Sequence, residues 1–211
     1  MIQKEELLPF LCKLSGKCCV NNEIPLNTMD IFLLAKTLET NPKTLFNQKL
    51  ISYRIIVSNQ WMEPIINTRK VPVCPFLERN SDEYTCSIYE TRPLACRLFP
   101  MKYDPDSEQF LRNDFSETRC AECISPFEGI TLEKYISNAD LEPRLEFYKE
   151  YRVLIDVLVS KGFNLHDIKN KKDKQKQFFL LQEVLYETYP IQPNDEFFWE
   201  KIKTRVLSIA E

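Results

Sequence analysis

Glycine, histidine and long apolar runs are nearly missing from this chain, and each shortage excludes something. Its 211 residues contain three glycines, Gly16, Gly129 and Gly162. Phosphate-cradling loops and dinucleotide fingerprints need several glycines at fixed spacing, so neither is present. There is one histidine, His166. Metal sites built on several histidines, and most cysteine–histidine nucleophile pairs, are thereby excluded. With no second histidine or cysteine near it in sequence, His166 reads as a solvent-facing turn residue. No stretch approaches the roughly 20 apolar residues of a membrane span. The opening MIQKEELLPFL mixes charges and lacks the apolar run of a secretory signal. The net charge of -3 gives no support for non-specific nucleic-acid binding. The expectation is a cytoplasmic protein with neither a membrane nor a nucleic acid as partner.

What the chain has instead is cysteine. Eight of them, without a signal peptide, belong in a reducing compartment, where thiols bind metals or do redox chemistry more often than they form disulfides. Cys12, Cys18 and Cys19 lie near the N-terminus, and Cys74, Cys86, Cys96, Cys120 and Cys123 follow later. All eight read as metal ligands converging on one region. Eight thiolates fill two four-coordinate sites, or one site with ligands to spare. Zinc and a 4Fe–4S cluster each accept four, so Zn2+ and 4Fe–4S both stay open. Cys120-x2-Cys123 is the strongest pair, since that spacing lets two thiolates grip one ion. The adjacent Cys18 and Cys19 either bend inward together or split into one ligand and one buried thiol. Arg92 and Arg97, beside Cys96, read as cofactor-binding residues that balance thiolate charge; surface ion pairs are the alternative. Tyr89 and Phe99 shield the site or simply fill core.

The rest of the chain reads as a frame. With 44% hydrophobic residues it can bury a real core. Asn27 with Asp30 forms a helix start whose helix carries Ile31, Leu34, Ala35 and Leu38. Asn41-Pro42 opens a second helix. Ile55-Ile56-Val57 extends it or, by β-branching, begins a short strand. Pro64 to Pro126 holds seven of the thirteen prolines and no glycine. That predicts an irregular loop region stapled by its cysteines. From about residue 131 the periodicity is helical, with Leu145, Tyr148, Tyr151, Leu154, Ile155 and Leu158 on one face. Gly162 closes that helix and Asn164 caps the next. Phe178, Leu181, Leu185 and Tyr189 form another face, and Asn194 caps a last helix. The fold class expected is mainly α: an irregular cysteine- and proline-rich metal-binding region packed against a helical layer. Residues 1–130 form the cysteine-cluster domain and residues 131–211 a helical region packed on it.

The string Cys86-x-Ile88-Tyr89-x-x-Arg92-Pro93-x-x-Cys96-Arg97-x-Phe99-Pro100 is specific. Before it stand Gly16-Lys17-Cys18-Cys19, Asp30 in an early helix and Cys74-Pro75-Phe76-Leu77; Cys120-x2-Cys123 closes it. This order, over about residues 12 to 123, resembles the cysteine-cluster family of zinc- or iron-chelating proteins (the YkgJ type). The resemblance implies that the eight cysteines are metal ligands and leaves zinc against iron undecided. A related cluster occurs in flagellin lysine N-methylases, which are considerably longer chains. Three functions follow for comparison. One is a metal-binding protein in a structural or metal-handling role. Another is an iron–sulfur enzyme doing redox or protein methyl-transfer chemistry. The third is a zinc-stabilised module that binds a protein partner.

Overall fold

The structure, a computed structural model, describes residues 2–8, 16–20, 22–58, 60–68, 73–80, 83–112, 129–169, 171–188 and 197–211. In chain order the strands and helices begin with β1 (Leu7–Leu8), β2 (Glu23–Pro25), α1 (Thr28–Thr37), α2 (Pro42–Asn47), β3 (Ser52–Ile56) and β4 (Trp61–Asn67). Next come β5 (Leu77–Asn80), β6 (Glu83–Cys86), α3 (Leu94–Leu98), β7 (Met101–Asp104), β8 (Gln109–Arg112) and β9 (Ile130–Thr131). Five helices complete the order: α4 (Leu132–Asn138), α5 (Glu142–Ser160), α6 (Leu165–Ile168), α7 (Lys172–Gln182) and α8 (Phe198–Ala210). A π-helical turn, Glu183–Glu187, extends α7.

The chain folds into two compact units. Residues 1–24 and 67–149 form one, here called the cysteine unit; residues 25–66 and 150–211 form the other, the aromatic unit.

In the cysteine unit β1 pairs antiparallel with β9, β5 with β6 and β7 with β8. The β7–β8 turn is built without glycine. The Asp104 carboxylate accepts hydrogen bonds from the Asp106 amide (3.1 Å) and the Ser107 hydroxyl (2.6 Å). Glu108 takes the left-handed position at φ 53°. The core cluster gathers Ile2, Leu8, Leu94, Leu98, Met101, Phe110, Leu132, Ile136, Leu141 and Leu145.

In the aromatic unit the expected starts hold. The Asn27 side chain accepts from the Asp30 amide at 2.9 Å, and the Asp30 carboxylate accepts from the Asn27 amide at 3.1 Å. Pro42 opens α2 behind Asn41. β3 and β4 form a hairpin in which Arg54 lies opposite Glu63 and binds it at 2.8 Å. Burial raises the Glu63 carboxyl above its ordinary range despite this pairing with Arg54 and the nearby Arg152. The apolar centre holds Trp61 edge-on to Phe178, with ring centroids 5.2 Å apart, and Phe32 stacked on Phe198 at 4.4 Å. Tyr186, on the π-helical turn, receives the Trp61 indole N–H (3.2 Å) and shares a 2.5 Å hydrogen bond with Tyr151.

The expectation of a mainly α fold, with an irregular metal-binding region packed against a helical layer, is corrected. Nine short strands stand among the described residues. Between Pro64 and Arg112 the chain makes two hairpins and a helical turn rather than irregular loop. Prolines sit where a fixed φ costs nothing, at Pro93 just before α3 and Pro105 in the β7–β8 turn. Antiparallel pairing satisfies the backbone groups between them. A cysteine cluster packed against helices is not what the described residues build. Asn194 and Tyr189 lie outside the described residues; α8 has Phe197 at its N-cap position. Among the described residues no helix is long and apolar enough to cross a membrane.

Candidate metal centre

The cysteines come into position through backbone geometry. Gly16 takes φ 68° and turns the chain into a 3-10 turn, Lys17–Cys19. A Cβ on Gly16 would stand 3.0 Å from the Tyr84 ring, so the turn lies flat against β6. The Cys74 amide donates to the Cys19 carbonyl at 2.9 Å, and Val20 bridges Val73. The Asn22 side-chain amide donates to the Cys18 carbonyl at 2.7 Å. Leu77 pairs with Cys86 at the open end of the β5–β6 hairpin. This ties three sequence-distant segments, carrying Cys18 and Cys19, Cys74, and Cys86, into one patch.

The sulfurs themselves show two kinds of neighbour. The Phe76 amide donates toward the Cys74 sulfur, and the Ile88 amide toward the Cys86 sulfur. In each case the donor lies two residues past the cysteine, an arrangement that favours thiolate. Burial opposes it and dominates: the Cys74 thiol is pushed up to about 11, and Cys86 is raised as well. Cys18 and Cys86 add to the rise at Cys74 by like-charge repulsion, and Cys18 does the same at Cys86. Cys18 and Cys19 sulfurs stand 3.9 Å apart. Thiols that repel one another when ionised, and already receive amide N–H groups, are suited to a cation that would neutralise both. The donor set therefore fits zinc or an iron–sulfur cluster. Among the described residues no group of three or more cysteine, histidine or carboxylate side chains forms a finished ligand set.

The other expected residues fall as follows. Cys96 is half-buried on α3, its amide bonded to the Pro93 carbonyl at 2.9 Å. Cys12, Cys120 and Cys123 lie outside the described residues. The five described cysteines are free of disulfides. Arg92 stacks on Tyr89, its guanidinium 3.8 Å from the ring centroid, and its charge pulls the Cys86 thiol down. Arg97 spends its donors on the backbone carbonyls of Arg92 (3.2 Å), Ala139 (2.6 Å) and Glu90. Tyr89 is exposed, so it does not roof a buried site. His166 is exposed. Sequence reasoning passed over Asn22, Tyr135 and Arg144, each of which binds a carbonyl in a cysteine-bearing segment. Asn22, three residues after the vicinal pair, was the findable one, because short amides commonly bond nearby backbone. Tyr135 and Arg144 carry no local signal.

Among known proteins, a family model described as "Putative zinc- or iron-chelating domain" (CxxCxxCC) matches residues 11–126. No curated protein and no solved structure matches the chain. The likeness to flagellin lysine N-methylases thus gains no support from a relative.

Proposed function

We propose, because the chain belongs to the CxxCxxCC family of zinc- or iron-chelating domains, that its thiolates grip a zinc ion or an iron–sulfur cluster in a structural or metal-handling role. The observation that carries this reading is the common treatment of Cys74 and Cys86. Each sulfur receives an amide N–H from two residues on, and each feels Cys18. Cys18, Cys74 and Cys86 are the first ligands assigned. Cys19 stands beside Cys18 on the same 3-10 turn, Cys96 is on α3, and Cys12, Cys120 and Cys123 are assigned by sequence. Metal binding belongs to residues 1–130, which contain every cysteine. Arg92 offsets the charge of a centre with four thiolates, which a divalent ion alone leaves negative. When bound, the metal supplies cross-links between segments that share little apolar surface. A reducing compartment such as the cytoplasm keeps the thiols available.

The test is metal and acid-labile sulfide analysis on protein purified without oxygen, with its visible spectrum. Iron with matching sulfide and a broad band near about 400 nm, where thiolate-bound clusters absorb, identifies an iron–sulfur centre. Stoichiometric zinc in a colourless sample identifies a zinc site. Protein without metal, whose thiols react only after reduction, overturns the reading in favour of disulfides.

A further inference from the structure

The segment Glu90–Pro100 carries Cys96 and follows directly on Cys86 and Ile88. Its short helix α3 has no side-chain cap. Its carbonyls are instead taken by side chains from later in the same unit. Tyr135, on α4, donates its hydroxyl to the carbonyls of Arg97 and Phe99, the latter at 3.1 Å. Arg144, on α5, donates to the Arg92 carbonyl at 3.1 Å and is only 9% exposed. Arg97 reaches in the reverse direction to the Ala139 carbonyl at the end of α4. The Arg92 carbonyl therefore receives two guanidinium groups, from Arg97 and Arg144. Charged donors make the stronger class of hydrogen bond, and a buried arginine gives up its hydration only where such partners exist.

Tyr135 and Arg144 both lie beyond the matched span of residues 11–126. We infer that they are positioning residues for the metal centre, fixing the Arg92–Phe99 segment so that Cys96 and the Arg92 guanidinium hold their places relative to Cys86. The inference rests on the metal-holding reading above. A five-residue helix without a cap is weak alone, so its orientation is set by what grips its ends. The grip comes from α4 and the first turns of α5. The metal-binding unit is thus completed by residues outside the family's span.

The test uses Co2+ as probe in the full chain, since thiolate–cobalt charge-transfer absorption reports ligation directly. Tyr135→Phe deletes one hydroxyl and keeps the ring. Tyr103→Phe is the control: its ring packs on the same core, but its hydroxyl meets Lys149 rather than α3. Competition against a chelator is expected to show Co2+ held about tenfold more weakly in Tyr135→Phe, the scale of outer-shell losses. The charge-transfer band shifts in that variant, and Tyr103→Phe matches the wild type. Arg144→Lys, which keeps charge but loses the planar fork, weakens binding in the same direction. Should it fail to fold, the Tyr135→Phe and Tyr103→Phe pair decides alone. Wild-type affinity and band shape in Tyr135→Phe, or equal weakening in Tyr103→Phe, overturns the inference. Absence of any thiolate–cobalt band in a wild type that also carries no zinc, iron or acid-labile sulfide overturns the metal-holding reading itself, which is a separate outcome.

Discussion

In the aromatic unit, Phe32, Trp61, Phe178, Tyr186, Phe198 and Trp199 are buried, and no cysteine occurs in its two chain segments. In the cysteine unit, the ten residues of the core cluster include none of the cysteines. Among the described thiols, Cys18, Cys19, Cys74 and Cys86 sit instead on or beside turns and a hairpin joined by backbone hydrogen bonds, and Cys96 on α3. Burying an aromatic or aliphatic side chain stabilises by about 1.5–3 kcal/mol, so apolar burial is the main term holding the first unit. The second has an apolar cluster and, apart from it, a patch of thiols. On the proposed reading, one region is held by area removed from water and the other by coordination as well.

Removing the metal separates the two most strongly. Chelation is expected to take away thiolate–metal binding on the order of 10 kcal/mol, and Cys86→Ser part of it. Both tryptophans, Trp61 and Trp199, belong to the aromatic unit, so their fluorescence reports that unit alone. The expected result is a lost or lowered circular-dichroism transition, with the tryptophan transition nearly unmoved. A tryptophan transition that collapses along with the metal would dissolve the contrast. Phe178→Ala probes the opposite side. It opens a cavity beneath Trp61 and costs about 3–5 kcal/mol by tryptophan-monitored denaturation, while metal content stays at the wild-type value. The smallest effect is alkaline. Burial holds the Tyr53 and Tyr186 hydroxyls above the ordinary tyrosine value of 10.0. Above about pH 10 the unfolded chain gives up these protons while the folded one keeps them. Stability then falls by about 1.4 kcal/mol per pH unit for each tyrosine. Tyr53→Phe should make that slope shallower by one tyrosine's share, read by tryptophan fluorescence between pH 10 and 11.

Local signals were legible wherever one side chain decides the backbone. Asn27 with Asp30, Asn41-Pro42 and Asn164 each start helices as their hydrogen-bonding chemistry dictates. Gly162 lies at φ 82° just past α5. The hairpins between Pro64 and Arg112 were not foreseen, because proline density was weighed as loop and turn chemistry was not. Asp104-Pro105-Asp106-Ser107 is a turn signal that sits between β7 and β8. Beside Gly16 and Gly162, left-handed turn positions are filled by Glu39, Lys49, Gln60, Glu108 and Asp140, which a search for glycine passes over. The candidate site was legible as a set of cysteines. The grouping of Cys18 with Cys74 and Cys86 depends on a bridge between Val20 and Val73, which no sequence period encodes. Arg97 sits inside the recognisable motif, yet it donates to the carbonyls of Arg92, Ala139 and Glu90.

The two units interleave along the chain: residues 25–66 are threaded between the halves of the cysteine unit, and α5 begins in one unit and ends in the other. During synthesis this sets an order of events. Cys12, Cys18 and Cys19 emerge first, well before β5, β6 and the Cys74 amide that bonds the Cys19 carbonyl. The braces at Tyr135 and Arg144 arrive only after every cysteine has left the ribosome. A growing chain therefore exposes its candidate ligands before it can bury them.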